Sequence, residues 1–180
     1  MGGIFYRMST LRVDSLQGQT AGTDRYVVQV KQAVKTDKLS TTSATAVDVT
    51  GLSVDITPQS ANNKVLVSCS LNWGGSNNVY GGVLLKRGST TLSPSTDATG
   101  NQIATTFALG GDNNNFNFKT HMATYQFLDT PNTTSSTTYK VQVLSSYNSE
   151  TFTINAPNND ADDVYIVKGT STITVMEIAQ

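Results

Sequence analysis

The stretch KVLVSCSLNW, Lys64–Trp73, constrains this chain more than any other. Val65, Val67, Cys69, Leu71 and Trp73 fall on one side of an extended backbone, and Leu66, Ser68, Ser70 and Asn72 on the other. A period of two held for ten residues cannot be laid along a helix, so this segment is a strand with one apolar face. TTYKVQVLS (Thr137–Ser145) repeats the pattern with Tyr139, Val141 and Val143. Further strands are expected at Tyr26–Lys35, Ala46–Thr57 with a break at Gly51, Val79–Lys86, Ile103–Ala108, Lys119–Leu128, Thr151–Asn155 and Ser171–Ala179. Turn chemistry separates them: Thr57-Pro58, Gly74-Gly75, Gly110-Gly111-Asp112, Thr130-Pro131-Asn132 and Ala156-Pro157-Asn158-Asn159. No segment has a helical period. Eight to ten short strands at regular spacing predict an all-β antiparallel sandwich or barrel.

The 180 residues accommodate one domain with an appendage. We divide them into an N-terminal arm, residues 1–25, and a β-domain, residues 26–180. Within the arm, Leu11, Val13 and Leu16 are the apolar side chains of Ser9–Gln17, and Gly18 and Gly22 uncouple the segment from the body. Met8 is a candidate start. The arm is too short to fold alone, and a partner that orders it would grip Leu11, Arg12, Val13 and Leu16.

Charged residues make up 14% of the chain, well below the usual quarter, while Ser, Thr and Asn supply a third. Such a surface is polar through hydroxyls and amides rather than ions. The net charge of −1 and the scattered Lys and Arg predict no nucleic-acid partner. No apolar run reaches membrane-spanning length. The single cysteine, Cys69, excludes an internal disulfide, and its phase with Val67 and Leu71 predicts a buried, inert thiol.

No catalytic set emerges, and an enzymatic role is not expected. The single histidine, His121, lies on a predicted strand without a nucleophile motif. One His and one Cys cannot furnish a zinc site, and no cofactor is expected. Asp160, Asp162 and Asp163 share a loop that could hold calcium, but the glycine and terminal Glu of an EF-hand loop are missing, so a solvated acidic loop is the expectation.

Recognition is expected on loops. GGDNNNFNF offers Asp112, Asn113, Asn114, Asn115 and Phe116, and WGGSNNVY is bracketed by Trp73 and Tyr80. Amides and a carboxylate beside aromatic rings suit a surface glycan, although turns favour the same residue types. If successive strands run antiparallel, the loops at 74–78, 109–118 and 148–150 share one end, taken as the outward tip. Those at 88–102, 129–137 and 157–170 share the other.

The opening MSTLRVDSLQGQTAG resembles the start of a family of small bacteriophage virion proteins, tail-fibre-like or head-appendage-like, from phages of aquatic bacteria. VDVTGLSVDITPQSANNKVLVSCSL, FLDTPNTTSSTTYKVQVLS and the ending GTSTITVMEIAQ resemble the same group. The resemblance implies a jelly-roll body, a homotrimer, and attachment through the N-terminal arm to a capsid or tail protein at the virion surface. The last strand is expected to supply the trimer interface through Ile173, Val175, Met176 and Ile178: Ile173 and Val175 face one side and Met176 and Ile178 the other. Its second face must be covered either within the chain or by another subunit. Two functions follow, a short fibre or appendage that contacts the host, and a capsid decoration protein that stabilises the head lattice.

Overall fold

The computed structural model describes residues 25–111, 116–146 and 150–180. Leu11, Arg12, Val13, Leu16 and Asp112–Asn115 lie outside them. The strands are β1 (Val27–Lys35), β2 (Leu39–Thr41), β3 (Val47–Ile56), β4 (Lys64–Gly75), β5 (Tyr80–Arg87), β6 (Thr90–Thr91), β7 (Phe107–Gly110), β8 (Thr120–Asp129), β9 (Thr137–Ser145), β10 (Phe152–Ile154) and β11 (Ser171–Ile178).

Every pairing is antiparallel. Apart from the short β2, β6 and β10, one sheet runs β1-β11-β4-β8 and the other β3-β9-β5-β7. Followed along the chain, the strands pass from the first sheet (β1) to the second (β3), back (β4), across again (β5, β7), and then β8, β9 and β11 alternate. Two four-stranded sheets wound in this order form a jelly roll, as expected. β10 and β2 extend the first sheet beyond β11, at the Trp73–Gly75 end of β4.

The inward faces of both sheets fill one core. Val65, Val67, Cys69 and Leu71 of β4 meet the buried residues of β3, β5 and β9 in a single apolar cluster. Each such side chain removed from water stabilises the fold by about 1.5–3 kcal/mol. Burial also raises the Cys69 thiol to about 12, which keeps it protonated and unreactive at neutral pH.

In β3, Val49 and Leu52 are both buried although they stand three residues apart. A regular strand would turn one of them to solvent. The chain resolves this with a register shift between Asp48 and Ser53, where Gly51 adopts φ +90°. An irregularity of this kind resets the alternation, and only glycine takes such a φ without strain.

Ile103–Ala108 was expected as a strand, but β7 is Phe107–Gly110. Residues 103–106 are drawn away from regular pairing: Thr106 donates its N–H to Val83 O and its hydroxyl to Leu92 O.

Candidate functional site

Two regions carry the expected sites: one end of the sandwich and the outer face of the β1-β11-β4-β8 sheet.

At the end where β5 begins and β9 finishes, three loops interlock around Asn117. This residue sits in a 3-10 turn, Phe116–Phe118. Asn117 donates its N–H to Asn77 Oδ1 (3.1 Å). Its own Oδ1 accepts from Asn158 Nδ2 (3.1 Å), and its carbonyl accepts from Asn159 N (2.9 Å). The side-chain amides of Asn77, Asn117 and Asn158 therefore hold the loops to one another, whereas Asn113, Asn114 and Asn115, the amides expected to face a ligand, lie outside the described residues. Nothing in the sequence distinguishes these roles, because the residue type is the same.

The loop at 157–170 thus belongs to this end, not the opposite one. The parity argument failed because β10 is three residues long and pairs with the tip of β4. It does not run the length of the sheet, so the chain never reaches the far end before returning.

Close approach at this end depends on Gly75. A Cβ there would lie 2.5 Å from Thr151 O and 2.6 Å from Val79 Cγ1. Beneath the loops, buried Asn155 forms a polar knot that the sequence did not reveal. It adopts φ +68°. Its Nδ2 donates to Lys35 O (2.9 Å) and Asp37 O (3.0 Å), and its Oδ1 accepts from Ser171 Oγ (2.6 Å). Ser171 Oγ in turn accepts from Asn72 N (2.9 Å).

Trp73 is not available for recognition. It is 5% exposed and stacks on Phe152 with ring centroids 5.6 Å apart and an interplanar angle of 11°. His121, exposed and directly opposite Trp73 on β8, has its ring centroid 5.7 Å from that of Trp73. Tyr80 is 55% exposed, Phe118 47%, Val164 88% and Tyr165 78%. Among the described residues, the aromatic side chains presented at this end are therefore Tyr80, Phe118 and Tyr165, and not Trp73.

The acidic loop is organised by ion pairs. Asp160 accepts from Lys168 (2.9 Å) and Lys38 (3.4 Å). The Lys168 hydrogen bond, with Lys38 behind it, holds the Asp160 carboxyl below its ordinary range. Asp163 Oδ1 accepts from Tyr165 N (3.2 Å). Among the described residues no group of three His, Cys, Asp or Glu side chains gathers to hold a metal ion.

On the last strand, Ile173 and Val175 are fully buried between the sheets. They belong to this chain's core and cannot form a subunit interface. Met176 and Ile178 lie on the outer face and are partly buried. The strand has two apolar sides because one faces the second sheet, as in any sandwich, while the other lies outside.

That outer face is short of charge. Val30, Met176, Leu66 and Leu128 form one apolar row across all four strands. The next row is Gln32, Thr174, Ser68 and Gln126, tied by Gln32–Thr174 and Gln126–Ser68 hydrogen bonds. Val30 is 52% exposed and Leu128 43%. The row gives this sheet surface one contiguous apolar strip beside an uncharged polar one.

At the opposite end, Glu177 is fully buried. Burial opposes its ionisation, but Gln29 Nε2 (2.6 Å), Asn63 Nδ2 (2.6 Å) and Gln59 N (2.7 Å) all donate to its carboxylate and hold it below the ordinary 4.5. A depressed carboxyl stabilises the fold above its unfolded value and loses that contribution as pH falls through the folded value. Glu177→Gln should cost about 1.5–3 kcal/mol at pH 7, and the difference from the parent should shrink at pH 3. Urea unfolding at both pH values measures this; an equal difference at both would rule out the ionised carboxylate as the source.

No family model and no curated protein matches the sequence. Among solved structures the chain is similar to chains of infectious bursal disease virus. Against one in the Gt strain structure, identity is 12%, coverage 93% of this chain and 44% of that one, and the TM-score 0.43. Against one in the T13 viral particle, the values are 13%, 83%, 38% and 0.41. Against one in the VP2 subviral particle, they are 11%, 91%, 45% and 0.37. The chain spans less than half the length of these neighbours. TM-scores this low carry no argument, and the jelly-roll architecture stands on the chain's own strand pairing. What the fold and its two surfaces define is a jelly-roll domain with an interlocked loop end and one charge-poor outer sheet.

Proposed function

We propose that this protein is a structural component of a phage virion, a short trimeric appendage exposed on the particle. Its arm (Leu11, Arg12, Val13, Leu16) holds it to a capsid or tail protein, and its exposed body contacts a glycan on the host surface. It acts by binding and not by catalysis. The observation that carries the reading is the outer face of the β1-β11-β4-β8 sheet. A row of Val30, Met176, Leu66 and Leu128 backed by uncharged hydroxyls and amides fits a surface that meets other copies in an assembly. The resemblance of the opening segment, of both middle segments and of the ending to phage virion proteins points the same way.

A second reading keeps the virion and drops the receptor. As a capsid decoration protein, the domain would use the same outer face to lie against the head lattice. The apolar row of that face and the uncharged hydroxyl and amide row beside it favour such packing against another protein.

Antibody labelling of phage particles tests both. The appendage predicts label confined to the tail or to discrete projections. Decoration predicts label over the whole head at symmetry-related positions. Particles that carry no label would remove both readings.

A further inference from the structure

The second sheet, β3-β9-β5-β7, has a recess on its outer side that no loop expectation covered. The segment between β6 and β7 crosses this face and leaves a cavity of about 310 Å³. That volume lies at the lower end for small-molecule sites. Gly82 lets the crossing segment come close, because a Cβ there would lie 2.6 Å from Thr105 Cγ2 and 3.2 Å from Leu144 Cγ. The wall is firmly tethered: Ser95 N donates to Thr105 O (3.0 Å), Thr106 N to Val83 O (2.9 Å) and Thr106 Oγ1 to Leu92 O (2.8 Å).

The lining chemistry narrows what fits. The floor is apolar, formed by Gly82, Ala108 and Leu144, with Ile103 at the side. Around it stand two carboxamides, Asn101 and Gln102, and two hydroxyls, Thr105 and Ser146. Gln102 Oε1 already accepts from Thr99 N (2.9 Å), which leaves the two N–H donors of that amide for a ligand. Ser146 Oγ donates to Tyr80 O (2.9 Å), which leaves its lone pairs as acceptors. Among the described residues that line it, no side chain is charged. A carboxylate, phosphate or ammonium would enter without a counter-charge, and burying an unpaired charge is strongly unfavourable. A ligand that combines an apolar C–H face with several neutral hydroxyls satisfies both floor and rim.

We propose that this recess is a binding site for one ring of a neutral sugar. Its C–H face lies on Leu144, Ala108 and Ile103, and its hydroxyls bond to Asn101, Gln102, Thr105 and Ser146. This deepens the recognition half of the proposed function by placing the glycan on the sheet face rather than on the loop end. A failure here leaves the particle assignment untouched, because that is read independently by labelling virions.

Saturation-transfer NMR on the full chain tests it, with a panel of neutral hexoses and N-acetylhexosamines and with glucuronic acid as the charged comparison. At least one neutral sugar should bind in the millimolar range, and glucuronic acid at least tenfold more weakly. Ala108→Trp, at an exposed strand position that projects into the recess, should abolish the signal. Asn101→Ala should weaken binding at least fivefold, and it keeps the test decisive if Ala108→Trp does not fold. The proposal is overturned if no neutral sugar binds, or if binding survives both substitutions. Loss of binding in Tyr80→Ala with Ala108→Trp unaffected would also overturn it, by moving the site to the loop end.

Discussion

Asn155→Ala should lower the free energy of unfolding by about 3–4 kcal/mol, a large share of a typical domain's total. The side chain is buried and every polar atom on it has a partner. Removing it strips Lys35 O and Asp37 O of their shared donor and Ser171 Oγ of its acceptor. Each buried group left unmade costs about 1–3 kcal/mol, less where a neighbour relaxes. Alanine must also hold φ near +68°, where an L side chain with no local hydrogen bond is strained. Two further variants separate these causes. Asn155→Gly relieves the backbone and should recover about 1 kcal/mol. Asn155→Asp keeps the shape but turns a second oxygen towards two carbonyls, so it should be as damaging as alanine. Denaturant unfolding gives all three values. An Asn155→Asp variant as stable as the parent would show that the donors to Lys35 O and Asp37 O do not matter.

The loop end should feel this change first. Gly169 N donates to Asn155 O (3.0 Å), so Asn155 closes the base of the loop that carries Val164 and Tyr165. Limited proteolysis of Asn155→Ala should begin in that loop while the sandwich remains folded.

The contrast between Asn155 and the strands shows what a single sequence conveys. β4 and β9 were legible because one buried face and one wetter face write a period of two into the chain. The break at Gly51 was legible for the same reason, as the place where that period slips. β11 was harder. Its inward face includes Ser171 and Glu177, both buried, and its outward face includes Met176 and Ile178. Polarity therefore did not mark the core side, and Ile173 and Val175 were read as an interface. Hydrogen bonds to Asn72, Asn63 and Gln29, which neutralise the polarity of the inward face, come from residues distant in sequence. The same holds for the asparagines at the loop end. Asn117 as a hub depends on three loops meeting, and no spacing within one loop encodes that. β2 and β6 went unnoticed because two or three residues are too few to show a period.

Trp73→Ala should cost about 3–5 kcal/mol, the usual range for removing a large aromatic from a core, and lower the melting temperature by about 10 °C. Trp73 lies in phase with Leu71 and Cys69, at the point where β4 runs into two glycines. Beside a loop it resembles a recognition aromatic, yet the alternation sends it inward. Its ring rests on Phe152, and Phe152 fills the space above Gly81, where a Cβ would lie 2.3 Å from the Phe152 ring. Trp73 and Phe152 belong to the first sheet and Gly81 to the second, so this stack sets the spacing of the sheets at the loop end. Alanine would leave a void that Gly81 cannot fill. Tyr80→Ala, by contrast, removes a side chain that is 55% exposed and should change stability by no more than about 0.5 kcal/mol. Circular dichroism melts of the two variants make the comparison. Because Trp73 is the single tryptophan, parent fluorescence supplies an independent check. Its emission should be that of a buried indole and move to longer wavelength only on unfolding. A solvent-exposed spectrum in the folded protein, with a small stability change in Trp73→Ala, would return this residue to the surface and restore the loop end as an aromatic platform for sugar.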